Sequence, residues 1–307
     1  MKIVVFGVGG VGGYFGGRLA EAGFDVTFVA RGKQYDAIKL HGLQIKSILG
    51  DFKVRPKVIS SISELDSPDL ILLAVKAWQV REVAMYLKPV IGENTIVLPL
   101  QNGADKGDIL CEVLDRKNVI DGLCRIVSRI ESPGVIDHFA FQEPEIIFGE
   151  IDGSITDRIK EIHKIFSKAN IKNHYSEDIR LDIWRKFLFI TTVSGIGALT
   201  RVPFGIMRED ESIRNIMYQT ANEIVAVANA KNIALNNDDI EITFKAIDNT
   251  LFNTTASMQR DIMEGRPSEL ENFNGYIVKQ GKELHITTPA NNFIYSCLLP
   301  QEKNARA

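Results

Sequence analysis

The sequence predicts an α/β domain built on a doubly wound parallel sheet, followed by an all-helical domain. Three observations carry this. Short continuous runs of Val, Ile and Leu alternate with helix-like segments through the first half of the chain. Glycine clusters at the start, with eight of the 24 glycines inside the first 23 residues. From residue 177 the apolar spacing becomes that of helices.

Residues 3–6, 26–30, 70–75 and 95–100 are the apolar runs. Uninterrupted runs of this length suit strands covered on both faces, as in a parallel sheet flanked by helices. Helix-like patterns fall between them at 13–22, 33–40 and 78–88, which completes the alternation of βαβ units. Two stretches break it. Residues 42–58 alternate around Leu49-Gly50-Asp51, and 134–149 alternate around Glu143-Pro144; both read as antiparallel additions. In the helical half, Ile179, Ile183, Phe187, Ile190 and Ser194 share one face. Ile213, Ile216, Met217, Thr220, Ile224 and Ala228 follow with the same period. A long pattern over 238–263 ends at Gly265-Arg266-Pro267. Ser268-Glu269-Leu270-Glu271 reads as a capping box that opens the next helix. The expected domains are 1–172 and 173–307.

Bulk properties narrow the function. The 307 residues carry 36 basic and 39 acidic groups, a net charge of −3, with 45% hydrophobic residues. This lacks the basic excess of a nucleic-acid binder and is too apolar for a disordered chain. Neither half is a charged tail: 1–172 holds 22 basic and 22 acidic residues, and 173–307 holds 14 and 17. Three cysteines without C-x-x-C spacing and five scattered histidines form no disulfide framework or metal box. The longest uncharged apolar run, 187–200, has 14 residues against the roughly 20 needed to cross a bilayer. The chain reads as a soluble cytoplasmic protein with neither nucleic acid nor membrane as partner.

Gly7-Val8-Gly9-Gly10-Val11-Gly12 is G-x-G-x-x-G, placed after a predicted strand and opening a predicted helix. In this Rossmann-type setting the first glycine permits the tight turn and the second lets the backbone approach a pyrophosphate. The third lets helix and strand lie close. The helix N-terminus then presents unpaired N–H groups to the phosphates. Gly13, Gly16 and Gly17 continue inside the helix, which implies a backbone pressed against a neighbour. At the end of the second strand an NAD-preferring site places a carboxylate. This chain has Ala30-Arg31-Gly32-Lys33 instead, and a guanidinium pairs well with a 2′-phosphate, so NADP(H) is the expected cofactor. Lys76-Ala77-Trp78-Gln79 and Gln101-Asn102-Gly103 follow the next two strands. Lys76, Gln79 and Asn102 there suit ribose, phosphate or nicotinamide.

In the second half, Lys186 leads a segment with no further charge until Arg201. Apolar surroundings and the neighbouring Arg185 cation both disfavour a protonated lysine, and a lysine tuned downward can act as a general acid.

These residues resemble the ketopantoate reductase (2-dehydropantoate 2-reductase) family over nearly the whole chain. The matching landmarks are Gly7 to Gly12, Arg31, Lys76 to Gln79, Gln101 to Gly103, Gly134 to His138, Trp184 to Lys186, Ala256 to Met258 and Ser268-Glu269. The resemblance implies a Rossmann domain, a helical domain and an active site in the cleft between them. It implies NADPH-dependent reduction of a branched 2-keto acid, ketopantoate to pantoate in pantothenate biosynthesis. Lys186 then corresponds to the general acid and Asn102 to a residue near nicotinamide and substrate. Ser257 corresponds to a substrate-carboxylate ligand, and Glu269 to a carboxylate near the reacting oxygen.

Three positions depart from the family pattern. Ile190, Ser194 and Phe204 stand where family members carry asparagines that line the substrate pocket, and Ser194 keeps a hydroxyl there. A more apolar 2-oxo acid is therefore a second reading. A non-catalytic NADP-binding sensor is a third, and Lys186 and Glu269 speak against it. The apolar helical faces suit a homodimer or the interior of a monomer equally.

Overall fold

A computed structural model describes residues 1–65, 67–139 and 143–307. The chain divides into two units, Met1–Ile179 and Arg180–Ala307. The first unit begins with β1 (Lys2–Phe6), α1 (Gly10–Glu21), β2 (Asp25–Val29), α2 (Gly32–His41), β3 (Leu43–Ser47), β4 (Phe52–Val54) and β5 (Lys57–Ile59). β6 (Leu70–Leu73), α3 (Val80–Leu87), β7 (Ile96–Pro99), α4 (Lys106–Cys111), β8 (Asp121–Arg125) and β9 (Ser128–Ser132) follow. β10 (Val135–His138), β11 (Glu145–Gly149), α5 (Asp157–Lys168) and β12 (Lys172–Tyr175) complete it.

The four apolar runs of the sequence form strands of one parallel sheet, ordered β5-β2-β1-β6-β7. Its β6 and β7 strands are wholly apolar and buried, and β1 is so after Lys2, because both faces are covered. Ile3, Val5, Phe28, Leu70 and Leu72 enter one core with Phe15, Ile136, Phe148 and Phe166. Their chain neighbours Val4, Phe6, Val29, Ile71 and Leu73 enter the other core with Val80, Val83 and Leu87. From β1 the chain moves outward to β2 and β5, then returns to β6 on the far side of β1. Strand order thus reverses beside β1, the kind of switch point at which such sheets take ligands beyond the carboxyl ends of their strands.

Of the two expected antiparallel additions, the first holds through β3 and β4 and the second is corrected. In 42–58 only β3 and β4 pair antiparallel; β5 leaves them and joins β2 in parallel. Pro56 lies between β4 and β5 and has no N–H to continue a ladder. In 134–149, β10 lies between β3 and β9, whereas β11 lies between β8 and β12. All five residues of β11 are buried, so it cannot be the solvent-facing arm of a hairpin. Residues 140–142 of that expected hairpin lie outside the described residues.

The second unit is helical: α6 (Ile179–Thr200), which starts at the boundary, α7 (Phe204–Glu209), α8 (Glu211–Ala230), α9 (Asn237–Asp248), α10 (Ser257–Met263), α11 (Asn274–Glu283) and α12 (Pro289–Arg306). The single helix expected over 238–263 is two. Arg208 Nη1 donates to the carbonyls of Ile247, Asp248 and Thr250 at 3.3, 2.9 and 2.7 Å, and so takes the orphan carbonyls that end α9. Ile216, expected on the apolar face of α8, is 41% exposed. The capping box at Ser268 is absent too. α11 begins at Asn274, and Ser268 Oγ donates to Glu302 on α12 at 2.5 Å. Among the described residues no helix is long and apolar enough to cross a membrane.

Candidate active site

The glycine turn shows what each missing side chain does. Gly7 has a φ of +98°, and a Cβ there would lie 2.9 Å from the Ala74 backbone just beyond β6. A Cβ on Gly12 would strike the Gly7 carbonyl oxygen. Gly9 differs, because no atom of the described residues lies within 4 Å of its would-be Cβ. It caps α1 without a side-chain hydrogen bond, so the first N–H groups of the helix, Val11 included, remain for another acceptor. Tight packing on two sides and open space on the third fit a pyrophosphate.

The other glycines of α1 are accounted for by packing. The helix lies between the parallel sheet and the β9-β10-β3 sheet. A Cβ at Gly16 would come within 2.7 Å of Val5 and Phe28. One at Gly13 would sit 2.6 Å from Ile136, and one at Gly10 would sit 2.7 Å from the Ser128 carbonyl. Gly10 thus has a steric reason to be glycine whether or not its N–H also serves the cofactor.

Arg31 is exposed, caps α2 in an extended conformation, and lies just past Ala30 beyond the end of β2. Lys76 is exposed beyond β6, its Nζ 5.5 Å from the Trp78 ring centroid. Gln79 Oε1 accepts the Lys76 N–H at 3.2 Å, so its amide fastens the turn. Asn102 is half-buried beyond β7. Its neighbour Gln101 donates to the Leu73 carbonyl at 2.8 Å and ties the β6 and β7 ends together. The first unit therefore gathers Gly7 to Gly12, Arg31, Lys76, Gln79 and Asn102 beyond the carboxyl ends of four adjacent strands.

Sequence reasoning missed two residues here. Gln34 on α2 donates to the Val8 carbonyl at 3.0 Å and accepts the Gly134 N–H at 2.9 Å, which locks the glycine turn to the β9–β10 turn. Ser128 Oγ is buried beside Gly10 with no hydrogen-bond partner among the described residues. Neither has a sequence signal, since both act across loops about which residue spacing says nothing.

In the second unit Lys186 is half-buried in the second turn of α6. Arg185 does not bear on it as expected. Its Nε donates to the buried Asp239 at 2.8 Å and its Nη1 lies 3.6 Å from Asp182, so two carboxylates absorb its charge. Phe187 meets Phe273 edge-on at 6.2 Å, and the Phe273 N–H donates to the Glu269 carbonyl at 3.0 Å. The turn bearing Lys186 and the turn bearing the buried Glu269 are thus packed together. Ser194 is buried two turns on, about 12 Å along the helix axis from Lys186. Ser257 is exposed at the first position of α10. Gln259 fixes that helix by donating to the Val202 carbonyl at 2.9 Å. Ile190 is half-buried, and Phe204 is buried against Phe189 with ring centroids 6.4 Å apart. The Phe204 position belongs to an aromatic pair.

A glycine turn at the switch point of a parallel sheet, with lysine and carboxylate on a helical unit, defines the class as a dinucleotide-dependent oxidoreductase. Residues 3–153 match the family described as Ketopantoate reductase PanE/ApbA, and residues 178–302 match its C-terminal counterpart. The chain belongs to this family. It is 32% identical to the uncharacterized oxidoreductase YkpB of Bacillus subtilis, over 97% of this chain and 98% of that one. It is 28% identical to the 2-dehydropantoate 2-reductase of Aquifex aeolicus, over 98% and 97%. Among solved structures, a PanE/ApbA family ketopantoate reductase from Ralstonia eutropha superposes with a TM-score of 0.91 at 28% identity, over all of both chains. A D-mandelate dehydrogenase solved with NADH and anilino(oxo)acetate shares the fold, with a TM-score of 0.91 at 24% identity.

Proposed function

We propose that this protein reduces a 2-oxo acid to the 2-hydroxy acid with NADPH, and that ketopantoate is the substrate. The observation that carries the reading is Lys186, half-buried on α6 and packed through Phe187 and Phe273 to the turn that bears Glu269. A bound reduced nicotinamide dinucleotide supplies the hydride. The open space at Gly9 and the N-terminus of α1 receive the pyrophosphate, and Arg31 pairs with the 2′-phosphate. The Asn102 amide orients ligand groups beyond β7. Lys186 Nζ gives its proton to the C2 carbonyl oxygen, and its charge stabilises the alkoxide that develops there. The Ser257 hydroxyl donates to the substrate carboxylate, Ser194 offers a second hydroxyl, and Glu269 accepts a hydrogen bond near the reacting oxygen.

Ile190 and the Phe189–Phe204 pair favour a second reading, a more apolar 2-oxo acid. Steady-state rates with NADPH and NADH against ketopantoate and its analogue lacking the hydroxyl separate the two. A pocket that hydrogen-bonds the hydroxyl rejects the analogue by roughly 10⁴-fold. A ratio near one, or one favouring the analogue, selects the second reading. Binding of NADPH without oxidation by any 2-oxo acid overturns both.

A further inference from the structure

Glu302 lies near the end of α12, 34 residues beyond Ser268, and is 2% exposed. It accepts the Ser268 N–H with both carboxylate oxygens at 3.1 Å and the Ser268 hydroxyl at 2.5 Å. Arg306, one turn on, donates from Nε to Glu302 at 2.6 Å and from Nη2 to the Ser268 carbonyl at 2.8 Å. Every polar group of Ser268 is therefore held by two residues of the C-terminal helix. We propose that Glu302, seated by Arg306, is a positioning residue that acts through Ser268 to set the orientation of Glu269. The inference rests on the reading of Glu269 as part of the reaction site.

Two physical arguments point this way. Residues 266–273 lie between α10 and α11, so no helical ladder fixes the backbone at Glu269. Its own carbonyl is held from the C-terminal side by the N–H groups of Asn272 and Phe273, both at 3.0 Å. The α12 pair supplies the hold from the N-terminal side. Stability alone gives no reason for this choice, because a buried ion pair is commonly replaceable by apolar residues of similar volume at no loss. What a carboxylate accepting an N–H and an O–H from one residue adds is a fixed direction for the chain at that residue.

The test is a double-mutant cycle in the full-length chain with NADPH and ketopantoate, or whichever 2-oxo acid turns over best. The variants are Glu302→Gln, Glu269→Gln and the pair. Glu302→Gln is expected to lower kcat by roughly tenfold or more, since small misplacements near the chemistry are costly. KM is expected to change little, and Arg306→Lys to cost less than Glu302→Gln. In the Glu269→Gln background, Glu302→Gln is expected to lower kcat no further, because its effect passes through a side chain already altered. Losses that multiply overturn the proposal, as does a Glu302→Gln protein whose melting temperature falls while kcat holds. If Glu302→Gln does not fold, Ser268→Ala keeps the main-chain bonds and completes the same cycle. An unchanged kcat in Glu269→Gln alone removes the role of Glu269 and this inference with it. An impaired Glu269→Gln beside a normal Glu302→Gln overturns only the inference.

Discussion

In the first unit, Gly7, Gly9 and Gly12 work through what they lack: two allow close backbone packing and one leaves open space. In the second, Lys186, Ser257 and Glu269 would work through what they carry, and their placement depends on side chains far away in sequence. Backbone-built sites tolerate little change in residue type, because a single methyl decides them. Side-chain-built sites depend instead on supporting hydrogen bonds from distant residues. Both halves match the family, residues 3–153 and 178–302, although the two are built differently.

The comparison breaks most visibly where the first unit itself relies on side chains. Lys106 Nζ lies 3.3 Å from Asp121 Oδ1, with both side chains buried, and burial pushes the Asp121 carboxyl upward while Lys106 draws it back. Lys106→Met leaves that carboxyl without its counter-charge, held among the described residues only by the Gly122 N–H at 2.8 Å, and is expected to cost about 3–5 kcal/mol in denaturant unfolding. An unpaired buried carboxyl holds its proton, so the stability present below its raised pKa is lost as pH climbs through it. The gap to the parent protein should therefore widen as pH rises above the ordinary carboxylate range. A pH-independent gap contradicts the assignment.

Next in size come paired glycine variants. Gly13→Ala forces a methyl to within 2.6 Å of Ile136 and is expected to destabilise by about 1–3 kcal/mol. Gly9→Ala meets no atom of the described residues, so its melting temperature should hold while NADPH affinity drops. Equal behaviour of the two variants in calorimetry and cofactor titration would erase the distinction between packing and ligand glycines. Arg31→Ala is expected to weaken NADPH roughly tenfold, the loss of one charge-assisted contact, and to leave NADH alone. Smallest is Gln34→Ala, which removes two hydrogen bonds and should cost on the order of 1 kcal/mol in stability, seen as faster amide exchange in the glycine turn.

How much was legible in the sequence follows the same division. The parallel sheet could be read because its strands are buried on both faces and so are continuous in Val, Ile and Leu. The glycine fingerprint could be read because backbone geometry leaves its trace in residue type. The helical half could be read from its period. The antiparallel pair around Leu49-Gly50-Asp51 was legible, but the partners of 134–149 were not, because alternation says nothing of which strand lies alongside. The break between α9 and α10 was hidden because Arg208, the residue that ends α9, sits about forty positions upstream. Ser268-Glu269-Leu270-Glu271 has the letters of a capping box, but its serine is already engaged by Glu302. Arg185 looked like pressure on Lys186 because its partner Asp239 is 54 positions away.

The central claim is that the two units divide the labour, one holding the dinucleotide and the other delivering the proton. Lys186→Ala tests it most directly, by NADPH titration and steady-state turnover on the same preparation. The account predicts an unchanged NADPH dissociation constant and a kcat lowered by roughly 10²- to 10⁴-fold, the range for a lost general acid. A kcat equal to that of the parent protein at saturating substrate would contradict it.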